Sequence, residues 1–67
     1  MNDNTFIQRL YDEKNKLEEK VEKLESFFMS EKIAEIEPIQ KTLLSVQLHA
    51  MKTYLMTLIE RIAWLSR

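Results

Sequence analysis

A chain of 67 residues with no Cys, no Gly, one Pro and one His lies near the lower size limit for a self-sufficient core, and neither disulfides nor a closed metal site can staple it. Oligomerisation is the staple that remains. A net charge of −1 argues against DNA or RNA as partner, since such binders carry a basic excess, and no apolar run reaches the roughly 20 residues of a membrane span, because Lys52, Glu60 and Arg61 interrupt the most apolar stretch.

In chain order, the opening Met1-Asn2-Asp3 lacks the basic n-region and apolar run of a secretory leader, so the reading is a cytoplasmic protein. Thr5-Phe6-Ile7-Gln8 matches a capping box, which predicts a first helix over about residues 5–29. Its apolar seam is Ile7, Leu10, Leu17, Val21, Leu24 and Phe28, a heptad in which Lys14 fills the one polar position. A cation there costs stability and selects register, so Lys14 reads as a specificity element rather than a catalytic amine. Residues 30–37 break the pattern and predict an elbow, with Ser30 as N-cap of a short helical turn and Ile33 and Ile36 as apolar plugs.

Pro38 suits the first turn of a new helix, which predicts a second helix over about residues 38–66. Its seam, Leu44, Leu48, Met51, Leu55, Leu58, Ile62 and Leu65, alternates spacings of four and three without a gap. An elbow this short makes the two helices antiparallel neighbours. The expected fold class is all-α, one two-helix hairpin over residues 1–67. Near its end the second helix also carries Tyr54, Met56, Ile59, Ala63 and Trp64, apolar groups around nearly its whole circumference. One partner helix cannot cover them all, so a homo-oligomeric bundle, a tetramer by expectation, is implied.

Charge is divided along the chain. Residues 1–37 hold six Lys/Arg against ten Asp/Glu, and residues 38–67 hold four against one. An acidic helix pairing with a basic one explains this, and so does a local pocket for a small anion. No phosphate loop, metal motif or nucleophile elbow is present, and one His without Cys builds no catalytic set. No enzyme, metal or cofactor is expected, and His49, away from the seam, reads as a solvated or interface residue. Two stripes flank the seams. Arg9, Glu13, Lys16, Lys20 and Lys23 form one edge of the first helix, and Gln47, Ala50, Tyr54, Thr57, Arg61 and Trp64 form one edge of the second. Arg suits phosphate, Tyr or Trp suits stacking and Gln suits a base edge or ribose hydroxyl. An amphipathic oligomer interface favours the same residues.

The ordered set Phe6, Arg9-Leu10, Glu13, Leu17, Lys20, Leu24, Phe28 and Ser30, followed by Leu43-Leu44, Gln47, Met51, Tyr54, Leu58 and Arg61-Ile62, resembles a family of short helical proteins encoded by tailed phages and prophages. These are similar to viral sponges, helical oligomers that bind nucleotide second messengers of bacterial immunity, such as cyclic dinucleotides in CBASS or cyclic ADP-ribose isomers in Thoeris, and sequester them without cleavage. The resemblance implies a ligand-binding set of Arg9, Glu13, Lys20, Gln47, Tyr54 and Arg61. Arg9, Lys20 and Arg61 would meet phosphates, Tyr54 would stack on base or ribose, and Gln47 with Glu13 would meet polar edges. It also implies action in the host bacterial cytoplasm. The rival expectation is a structural or adaptor coiled coil that binds a host protein.

Overall fold

The structure, a computed structural model, describes residues 3–67, with side chains from Thr5 onward. Among the described residues the regular elements are all helical, with no strand. Helix α1 spans Asp3–Phe28, a 3-10 helix spans Glu31–Glu35 and helix α2 spans Pro38–Leu65. The two long helices pack against each other as a hairpin measuring 48 × 17 × 14 Å. Each carries its apolar residues at a heptad period, so each has one stripe to bury, and the tight elbow delivers each stripe to the other.

Helix α1 starts at Asp3, two residues before the expected position, so Thr5 sits inside the first turn rather than at the cap. A shift of that size is within the range over which helix ends vary with how the end is defined. The core holds Leu10, Leu17 and Val21 from α1 against Leu58 and Ile62 from α2, with Leu48, Met51 and Leu55 partly buried around it. Ile7, Leu24 and Phe28 of the α1 seam are half-buried. Leu65, expected in the α2 seam, is exposed, because α2 ends at this residue. Lys14 lies at the margin of the core rather than in it. Its ammonium pairs with Glu18 at 3.9 Å and sits 5.8 Å from the centre of the Tyr11 ring. A long side chain can bury its stem and keep its charge in water in this way.

The elbow differs from expectation in what Ser30 does. Ser30 occupies the N-cap position of the 3-10 helix in extended backbone, but its hydroxyl makes no bond to that helix. It turns back instead, donating to Phe27 O at 2.7 Å, a carbonyl of the last turn of α1 that also accepts the Ser30 backbone N–H at 3.1 Å. Ile33 and Ile36 are half-buried. Ile36 and Glu37 are both extended, with ψ of 155° and 144°, as the residue before a proline prefers, and Pro38 opens α2 where its missing N–H costs nothing. Charge does part of the pairing. Lys52 on α2 bridges Glu25 on α1, an exposed ion pair worth at most about 1 kcal/mol.

Much of α2 is uncovered. Ile39, Leu43, Val46, Met56 and Trp64 are each more than half exposed, an apolar surface that a monomeric soluble protein rarely leaves to water.

Candidate functional site

Where two helices pack antiparallel, corresponding edges of their seams lie side by side. On one edge, Lys20, Lys23, Leu24 and Phe27 of α1 meet Gln47 and Met51 of α2 around an open groove of about 350 Å³. The helical period explains the α1 wall, since residues three, four and seven apart share a face. Lys20 and Lys23 supply two cations, and among the described residues neither forms an ion pair. Among the described residues the Gln47 amide donates only to Met51 Sδ, at 4.0 Å, a weak acceptor that leaves it available to a better one. Leu24, Phe27 and Met51 give the floor a soft, apolar surface. Such a groove suits a flat apolar ring carrying phosphate and a hydrogen-bonding edge.

Of the six residues expected to bind ligand, Lys20 and Gln47 therefore line one groove. Arg9, Glu13, Tyr54 and Arg61 are exposed outside it. Gln47, Tyr54 and Arg61 follow at intervals of seven, so they share an edge that drifts only about 20° per step. They are spread along it, however. The fourteen-residue separation of Gln47 and Arg61 spans about 21 Å of helix, too far for one small ligand to touch both on a single chain. Lys23, Leu24, Phe27 and Met51 are groove residues that sequence reading placed elsewhere. Lys23 belonged to a charged stripe, Leu24 and Met51 to the seams, and Phe27 to neither. The signal was present in the spacing of Lys20, Lys23, Leu24 and Phe27, but it needed the antiparallel register to show which α2 edge they face.

On the opposite edge, Tyr11 and Lys14 meet Ile59, Ile62, Ala63 and Ser66 around a second cleft of about 370 Å³. Two larger hollows, of about 450 and 720 Å³, lie along Glu19, Glu22, Lys23 and Ser26 and along Glu22, Glu25, Ser26, Met29 and Ser30, with carboxylates outnumbering the one ammonium. Their carboxylates repel an anionic ligand, so size does not make them the better site. His49 faces neither groove; its Nδ1 donates to Ser45 O at 2.8 Å. Among the described residues no three His, Cys, Asp or Glu side chains converge on a metal position, and no described helix is long and apolar enough to cross a membrane.

A short helical hairpin with an open cationic groove and a largely uncovered apolar helix has the build of a binding protein. Within that class the chain belongs to the Sequestin family, whose model matches residues 4–64. The match fits the sponge-type phage anti-defence proteins that the sequence resembles, and the family name implies a binding, sequestering role rather than catalysis. No curated protein and no solved structure matches the chain.

Proposed function

We propose that the protein is a phage-encoded sponge that binds a nucleotide second messenger of bacterial immunity, a cyclic dinucleotide or a cyclic ADP-ribose, and withholds it without cleaving it in the host cytoplasm. Membership of the Sequestin family carries this reading. The Lys20, Lys23 and Gln47 groove supports it, because two cations beside an amide and a soft apolar floor match phosphate, base edge and base face in turn. The working form is a homo-oligomer, expected to be a tetramer, since the exposed α2 side chains need cover. In this reading Arg9, Lys20 and Arg61 serve phosphates, Tyr54 stacks, and Gln47 and Glu13 serve polar edges.

A ligand that binds only the folded state raises the melting temperature with its concentration, by about 2.7 kcal/mol of stability at a hundred times Kd. Melting the protein with cyclic di-AMP, cyclic GMP-AMP and cyclic ADP-ribose should give a saturable rise with at least one of them, with the nucleotide recovered intact by chromatography. No rise with any would leave the second reading, an adaptor coiled coil. That reading draws on the exposed Ile39, Leu43, Val46 and Trp64, which would then seat a host protein. Recovery of a cleaved nucleotide would instead replace sequestration with catalysis.

A further inference from the structure

We infer that a second copy of this chain packs antiparallel on the outer face of α2, centred on Ala50, and that its Tyr54 completes the groove formed by Lys20 and Gln47. The composite site rests on the sponge reading; the packing does not.

The outer face carries a second seam, distinct from the one turned to α1. Ile39, Leu43, Val46 and Ala50 are followed eleven residues later by Ala50, Tyr54, Thr57 and Arg61. A repeat of eleven is about 3.67 residues per turn, close to that of a straight helix, so the stripe runs along α2 without winding away. Its large side chains stand in water on the single hairpin, Val46 at 62% and Trp64 at 68% exposure. Its centre is small. Ala50, Thr53 and Thr57 let a second backbone come close, and both hydroxyls are already bonded within the helix, Thr53 Oγ1 to His49 O at 3.1 Å and Thr57 Oγ1 to Thr53 O at 3.0 Å. Covering them strands no donor. Charge chooses the occupant and its direction. The start of α2 follows Glu31, Glu35 and Glu37 against Lys32 and carries Lys41, a net negative end, whereas Arg61 near its far end and Arg67 just beyond it stand against one Glu60, a net positive end. A parallel copy would set like charges together; an antiparallel copy sets the Glu37 end beside the partner's Arg61 end.

With Ala50 on the two-fold axis, Val46 lies opposite the partner's Tyr54 and Ile39 opposite the partner's Arg61. Tyr54 shares an edge with Gln47, and in an antiparallel pair equal edges face the same side. The partner's Tyr54 therefore arrives beside Gln47, at the mouth of the groove. Tyr54, seven residues from Gln47 along one helix, is brought beside it across two.

The absence of Cys from the sequence makes the packing directly readable. Under oxidation Ala50→Cys should cross-link to a dimer, Val46→Cys alone should not, and Val46→Cys mixed with Tyr54→Cys should. Monomers throughout, or self-linked Val46→Cys as a parallel pair requires, would overturn the packing. The composite site is read by complementation with radiolabelled cyclic di-AMP or cyclic ADP-ribose, whichever the native protein binds. Gln47→Ala and Tyr54→Ala should each lose binding, and the two coexpressed should regain about a quarter of the native capacity, because half of the two-fold dimers pair the variants and each such dimer holds one intact site of two. No recovery places both residues in one chain's site and overturns the sharing. Cross-links as expected with no nucleotide bound by the native protein would overturn the sponge reading, and the shared ligand site with it, while leaving the packing standing.

Discussion

Leu58 is fully enclosed, at 0% exposure, between the α1 and α2 seams, while Met56 two residues away is 66% exposed. Leu58→Ala removes buried methyl groups and leaves a void, which costs roughly 2–5 kcal/mol. At about 4–8 °C per kcal/mol for a chain of this size, its melting temperature should fall by ten degrees or more, whereas Met56→Ala should shift it by a few degrees at most. Equal shifts would mean that the seam is misplaced. Binding residues obey different physics. If Arg61 meets a phosphate, Arg61→Ala loses charge-assisted hydrogen bonds worth about 1.5–3 kcal/mol each, a tenfold to hundredfold weakening without loss of assembly. Arg61→Lys should recover only part of it, since a point charge lacks the bidentate fork. Tyr54→Phe should be milder than Tyr54→Ala if the ring stacks. Calorimetric titration on variants of unchanged mass reads both, and native affinity in Arg61→Ala and Tyr54→Ala would remove this edge from the site.

At the scale of the element, the elbow is set by restrictions on the backbone rather than by burial. Pro38 fixes its own φ and pushes Glu37 into extended backbone, so Pro38→Ala enlarges the unfolded ensemble at about 0.4–1 kcal/mol while keeping the helical circular dichroism. A larger loss would mean that the proline ring also packs. Much of the helical pattern is legible in the residues themselves. The 4-3 spacing of the α2 seam marks Leu58 and Ile62 as core, and Pro38 marks the start of α2. Less visible was the use of Ser30, because a serine between two helices suits either end and only geometry shows its hydroxyl on Phe27 O. Lys14 was ambiguous for a related reason. Periodicity assigns it a core position, but a flexible stem lets the ammonium leave the core for Glu18 and the Tyr11 face. Lys14→Leu should therefore raise the melting temperature, as an apolar group joins Ile59 and Ile62 in the second cleft. An unchanged melting temperature would show that the cleft has no room to be filled.

The whole molecule has little interior: its core is five buried side chains in a body 14 Å across at its narrowest. Small chains without disulfide or metal gain stability from association. The residues proposed to bind ligand are spread along the rod, and groups so carried gather around a small ligand only when a second rod lies alongside. Association and folding should then be linked, and linkage makes the melting temperature rise with protein concentration. Two double variants separate the seams. Leu58→Asp with Ile62→Asp buries two unpaired charges between α1 and α2, each costing several kcal/mol, and should abolish helical structure at any concentration. Val46→Glu with Ala50→Glu places charges only on the outer face, so hairpin packing is untouched and the loss should be one of association: lower mass in sedimentation, and a melting temperature that no longer depends on concentration. A folded chain from the first variant would show that Leu58 and Ile62 do not hold the hairpin together, and native mass with native concentration dependence from the second would show that the stripe turned away from α1 plays no part in assembly.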